Sequence, residues 1–79
     1  MNSLRLEDFV VDLAERRVVH QPSGIEIEFY EYLNENDWDK SDSVLLRDNP
    51  FWPGDRAEIA RKAKEAALVA GMRSRKPAA

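Results

Sequence analysis

The sequence predicts an α+β fold: a three- or four-stranded antiparallel β-meander packed on one face by a C-terminal α-helix. Three observations predict it. Hydrophobic residues recur at a period close to two from residue 4 to residue 32, turn-forming residues separate these runs, and residues 55–71 show helical periodicity. A chain of 79 residues is short enough for one domain. We place a single small domain at residues 1–71 and a flexible basic tail at residues 72–79.

The strands are predicted from three runs rich in β-branched and aromatic residues, at residues 9–11, 17–19 and 25–29. Between the second and third runs lies Gln21-Pro22-Ser23-Gly24, in which proline presets a turn dihedral and glycine suits the last turn position. If the loop between these two strands has two residues, Arg17 lies opposite Glu28 and Val18 opposite Ile27.

Strand alternation also predicts one apolar and one polar sheet face. Ile25, Ile27 and Phe29 point to one side, so the opposite face carries charges together with Val19 and Tyr30. Leu4 and Leu6 extend the first run, but Glu7-Asp8 interrupts it before Phe9, which indicates a bend or bulge.

The middle of the chain is less regular. Residues 34–43 are polar and acidic around Trp38, which indicates a loop, and residues 44–46 then form a candidate fourth strand. Two prolines exclude regular structure from residues 49–54.

The helix is predicted to begin after Asp55, a favourable N-cap, and to end at Gly71. Leu68 lies opposite the apolar stripe of this helix, so we expect it to face a sheet edge or a partner. The residues of the stripe, which we predict to pack on the apolar sheet face, are Ile59, Ala63, Ala66, Ala67 and Ala70.

Motifs that carry chemistry are missing from the sequence. It has no cysteine, and its three glycines already serve predicted turns or caps. His20 is the only histidine and adjoins a predicted turn, so we expect an ordinary surface histidine. The acidic run at residues 37–43 lacks the glycine that a calcium loop needs at its sixth place, which is Asp42. We therefore expect no catalytic residue, no metal and no cofactor.

Charge divides unevenly along the chain, whose net charge is −3. Residues 1–55 carry 5 basic and 13 acidic side chains, whereas residues 56–79 carry 7 basic and 2 acidic ones. We expect the two parts to complement each other within the fold. No apolar run is long enough to cross a bilayer, and the N-terminus lacks the apolar core of a signal peptide, so the sequence predicts a cytoplasmic protein that does not engage membranes.

One family resemblance covers under a third of the chain. The segments Phe9–Asp12, Arg16–Val19 and Gly24–Ile27 look like the opening sheet of response-regulator winged-helix output domains. That family continues with further helices and a wing, whereas here an acidic loop and a single helix follow. No DNA-contacting residue is carried over from the resemblance.

The leading functional hypothesis is a non-catalytic protein-interaction or regulatory module that binds an unknown protein or itself. Its hypothetical partner-binding residues are Tyr30, Tyr32, Trp38, Trp52 and Leu68. An alternative is a weak nucleic-acid-binding protein that uses the basic helix and tail. The residues of that alternative are Arg61, Lys62, Lys64, Arg73 and Arg75. A small enzyme is the second alternative, and it would need a pocket that no motif predicts.

Overall fold

A computed structural model describes residues 4–30 and 33–71 of the chain. It shows a four-stranded antiparallel sheet, in the order β1-β2-β3-β4, packed against one C-terminal helix. This confirms the predicted α+β fold, and of the two alternatives for the sheet it shows the four-stranded one. The bounds of the elements are β1 Phe9–Asp12, β2 Arg17–His20, β3 Ile25–Phe29, β4 Ser43–Arg47 and α1 Arg56–Ala70.

The β2–β3 hairpin has the predicted register, with Arg17 opposite Glu28 and Val18 opposite Ile27. The loop between the two strands has four residues, 21–24, and the register expected for a two-residue loop is kept. The Gly24 N–H donates to the carbonyl of His20 at 2.7 Å, and Gly24 takes a φ of +79°, which glycine tolerates best. The longer α-turn closes the strands without changing which side chains face each other.

Strand β1 begins later than the alternation of Leu4 and Leu6 suggested. A 3-10 turn spans Leu6–Asp8, and the predicted bend before Phe9 is this turn. Both leucines are half-buried and pack against the core. Their spacing of two therefore reflects packing of an irregular segment and not a strand.

The core lies between the apolar face of the sheet and α1. Phe29 and Ala67 have no exposed surface, and Ala63 is 1% exposed, so the alanines let the helix backbone approach the sheet closely. Ala70, by contrast, is exposed and lies outside the core. The buried apolar residues are Phe9, Val18, Ile25, Ile27, Phe29, Leu33, Ile59, Ala63, Ala66 and Ala67.

Both ends of α1 are capped as predicted. The Asp55 carboxylate accepts the Ala57 N–H at 2.9 Å. At the other end Gly71 adopts a left-handed φ of 108°, and its N–H bonds to the carbonyls of Ala67 and Leu68.

A second contact covers α1 on a side that the sequence left open. Residues 34–43, expected to be a loop, contain a 3-10 turn at Trp38–Lys40, which we call the Trp38 turn. Arg61 lies 5.3 Å above the Trp38 ring, and Lys64 Nζ donates to the Asp39 carbonyl at 3.4 Å. Leu68 continues this helical stripe and is half-buried against the core, so it does not stand free opposite the alanine stripe.

No described helix packs on the opposite face of the sheet, which is mixed in character. Arg17 and Glu28 form the predicted cross-strand ion pair there, with 3.2 Å between Nε and Oε2. Val10 is 48% exposed and Tyr30 61% exposed, while Val19 is half-buried. In the part of the chain that the structure describes, no helix is long and apolar enough to cross a membrane. The predicted tail at residues 72–79 lies outside that part.

Ile25→Val tests the core assignment. Ile25 is 1% exposed, so removing one methylene is expected to lower the free energy of unfolding by about 1 kcal/mol. The measurement is urea denaturation followed by circular dichroism. Leu13→Val removes the same group from a side chain that is 42% exposed and serves as the control. Equal losses for the two variants would contradict the assignment.

Candidate binding surface

The hypothetical partner-binding residues occupy different environments. Tyr30 is exposed on the sheet face away from α1, Trp38 packs beside α1, Leu68 is a half-buried residue of α1 itself, and Trp52 packs on His20. Tyr32 lies outside the described residues. The structure thus does not gather the described members of this set onto one surface.

The basic residues of the alternative hypothesis make local contacts. Arg61 stacks on Trp38, Lys62 lies 3.5 Å from the Glu65 carboxylate, and Lys64 donates to the Asp39 carbonyl. The remaining two, Arg73 and Arg75, lie outside the described residues. Nucleic-acid binding therefore stays a prediction from the sequence.

One arginine organises the connection between β4 and α1. We call residues 48–54 the Phe51 loop. Arg56, the first residue of α1, donates to the Asp48 carboxylate at 2.6 Å and to the Gly54 carbonyl at 2.7 Å. It also donates to the carbonyls of Asn49 and Trp52. A planar guanidinium can serve several acceptors at fixed angles, so one side chain sets the shape of the loop.

Asp48 and Asn49 complete this network. The Asp48 carboxylate accepts a hydrogen bond from the backbone N–H of Asn49 at 2.8 Å. The side-chain oxygen Oδ1 of Asn49 accepts one from the backbone N–H of Phe51 at 3.0 Å. Hydrogen bonding to Arg56, followed by that to the Asn49 N–H, lowers the pKa of Asp48 below its ordinary value. Asn49 Nδ2 donates to the Ser23 carbonyl at 2.9 Å and ties the loop to the β2–β3 turn.

The adjacent aromatic residues of the loop point to different environments. Trp52 is half-buried, and its ring meets the His20 ring edge-on with 5.2 Å between centroids. Phe51 is 91% exposed. The sequence hypothesis names Trp52 and not Phe51, because nothing in the pattern shows which of the two neighbours faces inward.

Gly54 allows Trp52 to take this position. A Cβ atom at Gly54 would lie 2.5 Å from Trp52 Nε1, so a larger residue cannot fit without displacing the indole. The indole Nε1–H is buried and has no hydrogen-bond partner among the described residues. Among the described residues, the Trp52 ring is therefore held by packing and not by a hydrogen bond of its indole.

His20 is a core residue, which corrects the expectation of a surface histidine. It is 2% exposed, and its ring lies 4.7 Å from the Phe9 ring as well as beside Trp52. Its Nδ1 lies 2.7 Å from Ser23 Oγ. Sequence position next to a turn suggested exposure, but strand alternation puts residue 20 on the same face as Val18, and that face is covered.

Exposed leucines precede the Phe51 loop on the edge strand β4. Leu45 and Leu46 are each 43% exposed. The pairing of β3 with β4 shifts register between Glu26 and Ile27, which leaves Leu46 as an extra residue between the paired Leu45 and Arg47. We use the name β4 surface for the exposed apolar residues of β4 and the loop that follows it, which are Leu45, Leu46 and Phe51.

An open groove of about 340 Å³ lies beside β1 and the end of α1. Its lining is apolar and supplies no acid, base or nucleophile: Leu6, Phe9, Val11, Ala66, Val69 and Ala70. Within residues 4–30 and 33–71, no three His, Asp or Glu side chains are arranged to hold a metal ion.

Comparison with protein-family models, with curated proteins and with solved structures gives no match for this chain. The arrangement of its own residues is therefore what supports a functional proposal.

Arg56→Lys is expected to loosen the Phe51 loop. Lysine keeps the charge but cannot serve four acceptors at once, so the amide protons of Phe51 and Trp52 should exchange with solvent faster. The free energy of unfolding should fall by about 1 to 3 kcal/mol. Hydrogen exchange followed by NMR measures the first effect. Arg61→Lys, in the same helix, is the control, and unchanged exchange in Arg56→Lys would refute the role of the arginine.

Gly54→Ala is expected to displace Trp52 from His20. The added methyl overlaps the indole, and overpacking of this kind lowers the free energy of unfolding by about 1 to 3 kcal/mol. A red shift of tryptophan fluorescence with retained circular dichroism would show the displacement. Ala57→Gly, in the first turn of α1, controls for a change of one methyl group nearby. An alanine variant with unchanged fluorescence and stability would contradict the close packing.

Proposed function

We propose that this protein is a non-catalytic protein-interaction module whose partner contacts the β4 surface. The observation that carries the proposal is Phe51, an aromatic side chain that is 91% exposed on a loop fixed by hydrogen bonds. Isolated exposed apolar residues are common, but large aromatic side chains are among the residues that most often anchor protein interfaces.

The rigidity of the Phe51 loop favours binding. Association normally costs conformational entropy when a loop becomes ordered against its partner. Here Arg56 and Asn49 already order the backbone on both sides of Phe51. An anchor presented in this way retains more of its contact energy as affinity.

The edge strand adds a second mode of contact. Among the described strands, β4 pairs only with β3, and we propose that its other edge pairs with an extended segment of a partner. Leu45 and Leu46 would supply apolar contacts next to that pairing. A second copy of this chain offers the same edge, so self-association is one form that the proposed interaction takes.

Site-specific photo-cross-linking tests the proposal. Phe51 is replaced by benzoylphenylalanine, which keeps an exposed aromatic ring, and the protein is irradiated in the cells that express it. We expect a discrete cross-linked band, whose mass and peptide content distinguish a second copy from another protein. Introducing Leu46→Glu should abolish the band, because a carboxylate at that position would have to be desolvated in the interface.

The matched control carries the cross-linker at Ala14, which is exposed in the turn between β1 and β2. Circular dichroism must show that all variants fold. Equal bands from both positions would indicate random collision. The lack of a band specific to position 51, with a monomeric mass by light scattering across a concentration series, would overturn the proposal.

A further inference from the structure

We propose that His20 is an acid-sensitive latch: protonation of its imidazole releases Trp52 and so changes the presentation of Phe51. The latch regulates the β4 surface, so its biological consequence rests on the proposed function, whereas the motion itself can be measured without a partner.

The surroundings of His20 suit a neutral ring. The side chain is 2% exposed and lies between the rings of Phe9 and Trp52. Ser23 Oγ, 2.7 Å from Nδ1, also accepts the Ile25 N–H and can donate to the His20 carbonyl. This hydroxyl can accept one Nδ1–H, but it has no charge with which to balance an imidazolium.

The charged groups around the ring give little compensation. From the 3-10 turn before β1, Asp8 favours the protonated form. In the loop and the start of α1, Asp48 and Arg56 are paired with each other at 2.6 Å. On β3, Ile25 lies opposite His20, and the buried residues of α1 are all apolar.

These surroundings set the direction of the pH response. Burial lowers the pKa of His20 below its ordinary value of 6.5, and Asp8 offsets part of that effect. The closed arrangement therefore binds a proton less readily than one in which water reaches the ring. Its stability is fully present above the pKa of the open form and decreases as the pH falls through the pKa of the closed form.

Of the two aromatic rings that contact His20, the ring of Trp52 is the one that can move away. Phe9 is held by pairing with His20 in the β1–β2 ladder, whereas Trp52 belongs to a connection. The buried indole N–H has no hydrogen-bond partner within residues 4–30 and 33–71, so exposing it to water gains a hydrogen bond. The Trp52 backbone is bonded to Asn49 and Arg56, so displacement of the ring is passed to the Phe51 loop.

The test is an NMR titration of the ¹⁵N-labelled protein from about pH 8 to about pH 4.5, a range that spans the ordinary imidazole pKa of about 6.5. Imidazole signals report His20, and the two indole N–H signals report Trp52 and Trp38. We expect the Trp52 signal to shift with the midpoint of His20 while the Trp38 signal and the far-ultraviolet circular dichroism stay constant.

Two variants sharpen the test. His20→Phe keeps a ring between Phe9 and Trp52 and leaves Ser23 its backbone partners, so the Trp52 transition should vanish. Asp8→Asn removes the carboxylate that favours protonation, so it should move the midpoints of His20 and Trp52 together to lower pH. This second variant keeps the proposal testable if His20→Phe fails to fold.

Two results would overturn the latch: a Trp52 signal that stays fixed while His20 titrates, or a Trp38 signal that changes with the same midpoint, which would mean unfolding of the whole domain. Either result alongside specific cross-linking at position 51 would leave the interaction module intact. A Trp52 transition without cross-linking would instead refute the proposed function and keep the latch.

Discussion

A single helix covers one face of a small sheet, and this constraint determines the path of the connection between β4 and α1. α1 packs chiefly over β1 and β2, whereas the preceding strand, β4, is at the opposite edge of the sheet. The chain must therefore cross the end of the sheet between Arg47 and Arg56. That path passes the β2–β3 turn, where Asn49 bonds to Ser23, and it brings Trp52 over His20.

The same constraint explains why the helix supplies mostly small side chains to the core and the rest of the chain supplies large ones. Alanines at positions 63, 66 and 67 bring the helix close to the sheet, and the volume is filled by larger side chains such as Phe29 and Leu33. Ile59 is the one large side chain among the fully buried residues of the helix. Its remaining side is stabilised by the Trp38 turn, which gives a domain of this size a second packing contact.

Much of the fold follows from the sequence because it depends on local periodicity. The alternation of residues 25–29 predicts which face of the sheet is covered, and Asp55 and Gly71 predict where the helix begins and ends. The Trp38 turn and the burial of His20 were not foreseeable in this way. Both depend on contacts between distant segments, and Trp38 meets Arg61 across 23 positions of sequence.

The candidate surface was the least predictable part. In the sequence Arg56 is only one of the basic residues of the segment 56–79. In the structure its partners are three carbonyls and one carboxylate in the preceding loop. Phe51 and Trp52 carry similar chemistry in the sequence, and only the three-dimensional path of the loop separates the exposed ring from the packed one. Patterns of residue type do not encode that orientation.

The irregular pairing of β3 with β4 has a consequence for how copies of the domain meet. A regular edge strand can add neighbours without limit, which leads towards fibres. The extra residue at Leu46 interrupts the regular spacing of backbone hydrogen-bonding groups near the end of the strand. An additional strand could therefore pair in register with only a short part of β4. The irregularity thus limits strand-by-strand stacking even though Leu45 and Leu46 are exposed at this edge.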